Sequence, residues 1–133
     1  MASIFTKIVN GEIPSHKIAE TEDYLAFLDI QPLTEGHTLV IPKKEIDYIF
    51  DIDDDLLAGL MTFAKGVAKA VEATVSCERI GVAVVGLEVP HAHVHLIPIN
   101  SIEDMSFSRP KLSPSQEELA GTAEAIRKNY QGE

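Results

Sequence analysis

Residues 90–98 read Pro-His-Ala-His-Val-His-Leu-Ile-Pro, and no other stretch limits the chain as strongly. It holds His91, His93 and His95, three of the five histidines in the sequence. They alternate with Ala92, Val94 and Leu96. Strict alternation over this length is the pattern of a half-buried β-strand, on which residues i, i+2 and i+4 line one face. The three imidazoles therefore share a face, and the small and apolar residues pack into the core behind them. Imidazole is only moderately suited to burial, so a row of it is a poor way to build stability. A solvated strand face with incidental histidines is the plainest reading, and the strict spacing argues against it. Two chemical readings remain. His-x-His on a strand can supply two metal ligands. Imidazole also titrates near neutral pH and forms covalent intermediates, so the row can hold a nucleophile and its acid–base partners.

The rest of the chain bounds the setting. At 133 residues it is one domain with a single core, and 45% hydrophobic content argues against disorder. No apolar run reaches the roughly 18 residues that a membrane span needs. Residues 1–7 lack the long apolar core of a signal peptide, and the lone Cys77 has no intrachain disulfide partner, which places the chain in the cytoplasm. The formal charge is 11 − 21 = −10. Such a chain repels a phosphate backbone, so nucleic acid is not an expected partner. Any phosphate site must be local, built from backbone N–H groups and imidazoles rather than from the global field.

Local patterns place the elements. Ile4, Phe5, Ile8 and Val9 suit one face of a short helix, with Ser3 as N-cap and Asn10-Gly11 as its stop. Strands are expected over 16–19, 24–29, 37–41, 79–85 and 92–99. Leu56, Leu60, Phe63, Val67 and Val71 step as an amphipathic helix to about Ala73, with Asp53, Asp54 and Asp55 at the end where a helix favours negative charge. Gly59 and Gly66 lie inside that helix at a cost of about 1 kcal/mol each against Ala. Residues 101–112 are irregular; Met105, Phe107 and Arg109 there cover a site or a partner subunit, or belong to a plain surface loop. Ser113 and Pro114 open a last helix, with Gln116 completing a capping box and Leu119, Ala123, Ile126 and Tyr130 as its stripe. His16 reads as a solvated histidine. The fold class is α+β, an antiparallel sheet with helices packed on it.

The segment His91-Ala-His93-Val-His95-Leu-Ile resembles the motif of the histidine triad (HIT) family, His-φ-His-φ-His-φ-φ with φ hydrophobic, and matches it throughout. Residues 36–44 look like the family's strand bearing a fourth active-site histidine, here His37. Residues 3–14 look like its N-terminal helix, and residues 26–30 like its ribose-contacting segment. The resemblance covers about residues 4–98 in the family's order. It implies one HIT-like domain over 1–133, a five-stranded antiparallel sheet with two main helices, and a homodimer with a continuous sheet. It implies a purine nucleotide substrate cut at the α-phosphorus, in the manner of a phosphoramidase or a dinucleoside polyphosphate hydrolase. His93 would attack and form a nucleotidyl-histidine, with its other ring nitrogen donating to the backbone carbonyl of His91. His95 would donate to a phosphate oxygen and help the leaving group as acid, and the His37 and His91 rings would complete the network. Ile4, Phe5, Ile8, Phe27, Leu28, Asp29 and Ile30 would bind the nucleotide, with Asp29 accepting from the ribose hydroxyls. The chemistry calls for no cofactor and no metal.

Two departures from the family stand out. Where many members have Gly-Gln-Ser or Gly-Gln-Thr before the triad, this chain has Gly86, Leu87 and Glu88. Phosphate-binding roles do not carry over to Leu87 and Glu88. Where zinc-bearing relatives have Cys-x-x-Cys and a later His, this chain has Ser3, Thr6 and Glu45, so no structural zinc is expected. A metal-dependent hydrolase using the three histidines and a nucleotide-binding regulatory module with vestigial catalysis stand as the alternatives.

Overall fold

In the computed structural model, which describes residues 2–131, the first element is a helix, α1, over Ile4–Val9. Ser3 caps it: its hydroxyl accepts from the Thr6 N–H at 3.0 Å. Strands β1 (Lys17–Glu20), β2 (Tyr24–Leu28) and β3 (Thr38–Pro42) follow, then the long helix α2 (Asp54–Thr74). After it come β4 (Arg79–Ala83), β5 (Val94–Ile99) and a last helix, α3 (Gln116–Asn129). The five strands form one antiparallel sheet in the order β1-β2-β3-β5-β4. This is the expected α+β architecture, a five-stranded antiparallel sheet with helices packed on it. No helix among the described residues is long and apolar enough to cross a membrane.

Period and stripe decide the layers. Leu60, Phe63, Ala64, Val67 and Val71 of α2, with Leu119, Ala123 and Ile126 of α3, pack on Ala26, Leu28, Val40, Val94 and Leu96 of the sheet. Full burial of side chains of this size contributes about 1.5–3 kcal/mol each, which makes this layer the main source of stability. The opposite face is only partly covered. There Phe5 and Ile8 of α1 close over Leu25, Phe27, Leu39 and Ile41. The part left open is where the histidines lie.

The two glycines of α2 differ in kind. A Cβ on Gly59 would collide with the Tyr24 hydroxyl, which donates to Leu56 O at 2.9 Å. A Cβ on Gly66 would make an ordinary 3.7 Å contact with the Tyr130 ring. Gly66→Ala is therefore expected to stabilise the protein by about 0.5–1 kcal/mol, and Gly59→Ala to destabilise it. Urea unfolding of the two variants checks this; equal shifts would contradict the packing.

Three expectations need correction. The triad strand was expected from residue 92, but the ladder begins at Val94, opposite Val40. Ahead of it the Ala92 N–H turns aside to donate to Ile46 O at 2.7 Å, so only His95 of the triad sits in the regular strand. The cap of α3 is Ser115, not Ser113. Ser115 and Glu118 each accept from the other's backbone N–H, a reciprocal box that satisfies two amides at once. His16 is not merely solvated; its ring donates to Gln116 Oε1 at 2.8 Å and ties the start of β1 to α3.

Candidate active site

The triad rings do share one side of the chain, and that side is not solvated. His91 is 0% exposed, His93 6% and His95 8%. Ala92, Val94 and Leu96 face the helices behind them. The rings form a row. Phe5 meets His91 edge-on at 5.9 Å and His93 at 5.0 Å, and His93 meets His95 at 5.0 Å. A fourth imidazole joins at the far end. Gly36, at φ +91°, adopts a conformation that penalises any residue with a Cβ. It closes a turn in which the His37 N–H donates to Thr34 O at 3.1 Å, and that turn sets the buried His37 ring against His95.

Backbone groups at the ends of this row decide where each proton sits. The His37 Nδ1 accepts from the Leu33 N–H at 3.0 Å. Neutral imidazole carries one proton, so His37 holds it on Nε2 and donates to His95 Nδ1 at 3.0 Å. His95 in turn is left with its proton on Nε2. His93 Nδ1 lies 2.7 Å from the His91 carbonyl, an acceptor only, so Nδ1 carries the proton and Nε2 holds a bare lone pair. The expected contact between His93 and the His91 carbonyl is thus present.

Burial keeps His37, His95 and His91 uncharged at neutral pH. It pushes His37 down to about 3, with the His95 and Lys111 charges acting in the same direction. It pushes His95 down to about 4, aided by His93 and Lys111, and lowers His91 as well. The 3.8 Å approach of Asp29 Oδ2 to His37 Nε2 is therefore no ion pair at neutral pH. Burial raises the Asp29 carboxyl, and the Gln31 N–H, which donates to Oδ1 at 2.9 Å, offsets part of that rise.

Asp29, His37 and His95 offer ligand atoms within 4.8 Å of one another. The donor chemistry does not suit a cation. His37 has no lone pair on Nε2 while Leu33 holds Nδ1, and the His91 ring is turned away, with Nε2 donating to Pro42 O at 2.8 Å. The three triad rings do not converge on one point, which is what the metal-dependent reading requires.

A cleft of about 310 Å³ opens on this row. All seven residues expected to bind nucleotide line it: Ile4, Phe5, Ile8, Phe27, Leu28, Asp29 and Ile30. Ile4 and Ile30 are 50% and 59% exposed, so they form its rim rather than core. A second cleft, about 230 Å³, also borders His93 and His95 and is walled by Val85, Leu87, Glu88 and Phe107. Residues 84–89 lie outside any strand, so strand parity does not turn Glu88 away, and it borders both clefts. A larger cleft, about 370 Å³, touches Asp29 and His37 but none of the triad.

The segment after β5 belongs to the site. Phe107 packs edge-on against His95 at 4.8 Å. Arg109 does not reach the clefts; it pairs with Asp104 at 2.9 Å. Lys111 was not foreseen. It lines both clefts beside His93 and His95, on a segment pinned by the Leu112 N–H to Pro32 O at 2.9 Å. No motif marks it, and the one available signal is that cations are scarce in so acidic a chain. Ser3, Thr6 and Glu45 also gather around His91, a convergence invisible in their spacing.

The chain is similar to known proteins in sequence and in fold. A model of the HIT domain matches residues 10–102, more than half of the chain. The adenosine 5′-monophosphoramidase HNT1 of Saccharomyces cerevisiae is 46% identical over 98 residues, which are 73% of this chain and 62% of that protein. The match thus spans less than two thirds of the yeast relative's length. The adenosine 5′-monophosphoramidase hnt1 of Schizosaccharomyces pombe is 36% identical over 128 residues, covering 95% and 96% of the two chains. The crystal structure of a Hit-like protein involved in cell-cycle regulation from Bartonella henselae superposes with a TM-score of 0.82 at 33% identity, over 96% of this chain and 95% of that one.

Proposed function

The chain belongs to the HIT family, and on that premise we propose that it is a nucleotide hydrolase of the phosphoramidase kind, acting at the α-phosphate of a purine nucleotide conjugate through a nucleotidyl-histidine. The observation that carries the reading is the 2.7 Å contact of His93 Nδ1 with the His91 carbonyl, which leaves Nε2 bare. Both yeast relatives compared above bear the name adenosine 5′-monophosphoramidase.

In this reading the base lies in the apolar cleft of Phe5, Ile8 and Phe27, and Asp29 accepts from the ribose hydroxyls. The phosphate then sits against His93 and His95, with Lys111 as the nearby cation. The His93 Nε2 lone pair forms the N–P bond as the leaving group departs with its bonding pair. Water then attacks phosphorus, the N–P pair returns to His93, and the nucleoside monophosphate is released.

The His37 contact refines the role of His95. A protonated His95 would point an Nδ1–H at the His37 Nε2–H, so it stays neutral and donates a hydrogen bond rather than a full proton. A leaving nitrogen must then take its proton from solvent before it departs. Protonated in this way, a phosphoramidate nitrogen leaves with the P–N bonding pair as a neutral amine, a step that an anionic polyphosphate oxygen does not need. Glu88 favours the amine, because its carboxylate repels a polyphosphate tail. Glu88→Gln is expected to raise turnover of a dinucleoside polyphosphate relative to a phosphoramidate by about fivefold, the effect of about 1 kcal/mol. An unchanged ratio would remove Glu88 from the specificity.

The deciding experiment is intact-mass detection of a nucleotidyl adduct after rapid mixing with an adenosine phosphoramidate. Two displacements retain configuration at a chiral phosphorothioate, and one inverts it. Inversion with no adduct would replace the covalent mechanism with direct attack by water.

We also propose a homodimer. β4 is an edge strand with Val82 52% exposed, and Met61 of α2 is 42% exposed, a combination that suits sheet continuation between two copies. Light scattering at micromolar concentration should give twice the chain mass; a monomer would refute the pairing.

A further inference from the structure

The chemistry above makes no use of Ser3, Thr6 or Glu45, yet all three converge on the His91 side of the site, with Ser3 buried, Thr6 half-buried and Glu45 exposed. Glu45 Oε1 accepts from the Ser3 N–H at 2.8 Å and from the Thr6 hydroxyl at 2.5 Å. The Ser3 amide first and the Thr6 hydroxyl next hold the Glu45 carboxyl below its usual range, so it is an acceptor only. The Thr6 hydroxyl proton is thereby committed to Glu45. The Ser3 oxygen accepts from the Thr6 N–H at 3.0 Å, and its own proton points to His91 Nδ1 at 2.9 Å. His91 must accept there, because its Nε2–H donates to Pro42 O at 2.8 Å. Ser3 Oγ also lies 3.3 Å from Thr6 Oγ1, and Thr6 Oγ1 lies 3.4 Å from His91 Nδ1, but with the Thr6 proton on Glu45 the shorter Ser3 contact supplies the donor to His91. Among the described residues no buried side-chain polar atom is left unsatisfied.

The end of this chain is the nucleophile's support. The His91 carbonyl receives the His93 Nδ1–H, and the His91 ring is 0% exposed, with no solvent to replace a lost donor. We propose that Ser3, backed by Thr6 and Glu45, is a positioning residue: it locks the His91 ring in one tautomer and orientation, and through the His91 carbonyl keeps His93 Nε2 bare toward the substrate. The proposal rests on His93 as nucleophile. Ser3, Thr6 and Glu45 stand where zinc-bearing relatives carry ligands, and zinc does not fit them here. Two hydroxyls replace thiolates, and the His91 Nδ1 lone pair is already taken by Ser3. Hydrogen bonds supply the rigidity. The same turn of α1 also carries Phe5, which touches both His91 and His93, so the wall of the base cleft and the nucleophile share one support.

Ser3 also caps α1, and the test must separate the two roles. Glycine is nearly as good an N-cap as serine, whereas alanine is poor, and neither can donate to His91. Ser3→Gly, Ser3→Ala and Ser3→Thr are compared for kcat and KM on an adenosine phosphoramidate, for AMP affinity, and for the ring ¹⁵N shifts of His91. A buried acceptor left without its donor disfavours the fixed ring arrangement, and a loss of about tenfold is the size of effect expected if the productive arrangement alone turns over. Ser3→Gly and Ser3→Ala should both lose about that much in kcat, with AMP affinity within about twofold and the His91 ¹⁵N pattern displaced from a fixed Nε2–H tautomer. Ser3→Thr should recover both. If Ser3→Gly keeps the parent kcat and the parent His91 shifts, the hydroxyl serves only the helix and the proposal fails. If the parent forms no adduct on His93, the nucleophile assignment fails first, and the two failures are distinct.

Discussion

His93→Ala is expected to lower turnover of an adenosine phosphoramidate by about three orders of magnitude or more, the usual consequence of removing a nucleophile from a concerted site. His93 is the middle residue of the triad, and its ring lies between Phe5 and His95, in contact with both. Its Nδ1 is committed to the His91 carbonyl, so Nε2 is the one nitrogen free to attack. Binding should suffer much less than turnover. On the proposed reading the base and ribose contacts come from Phe5, Ile8, Phe27 and Asp29, none of which needs the His93 ring to hold its place in the core or cleft. AMP affinity within a few-fold of the parent, with kcat collapsed, is the expected pattern. His16→Ala, which removes one exposed hydrogen bond to Gln116, provides the control and should leave turnover near normal. A His93→Ala protein with near-normal turnover would refute the assignment.

The second large effect is on stability in acid. His37 and His95 titrate at about 3 and about 4 in the folded protein, against 6.5 for a free histidine. The unfolded chain therefore takes up protons on both rings as pH falls through 6.5, while the folded protein does not until pH is close to 4. Over that window the unfolded state binds more protons, so stability drops as pH drops, by about 1.4 kcal/mol per pH unit for each ring. Asp29 works in the opposite sense, since burial raises its carboxyl, and moderates the low end of the slope. Urea midpoints measured from pH 7.5 to 4.5 should fall steeply below about pH 6.5. In His37→Asn the slope should be shallower by about one proton, because an amide has nothing to titrate. A parent protein equally stable at pH 7 and pH 5 would show that the rings take up protons in place, and the neutral hydrogen-bond chain from Leu33 to His95 would not stand.

Much of this molecule is local, and what is local can be read from order alone. The alternation of His91, His93 and His95 with apolar residues placed three rings on one side and a core on the other, because a period of two leaves an extended chain no alternative. The stripe from Leu56 to Val71 specified α2, and Ser3 and Asp53 marked the starts of two helices, because a cap bonds within three residues of itself. The resemblance extended this reading to a five-stranded antiparallel sheet and to seven residues that line one cleft.

Tertiary structure decided what those rings can do. An imidazole has two nitrogens, and apart from His93, which contacts the His91 carbonyl two residues back, the order of residues does not say which one is protonated. That choice comes from Leu33 for His37, from His37 for His95 58 positions away, and from Pro42 and Ser3 for His91, 49 and 88 positions away. Lys111 and Phe107 reach the site only because the segment after β5 folds back over it. Even the start of β5 was a tertiary matter: the pattern through Ala92 suits a strand, but its N–H is taken by Ile46 and the ladder begins two residues later. Periodicity determines which face a side chain occupies, whereas the proton on a buried ring is assigned by donors and acceptors that only the folded chain brings within 3 Å.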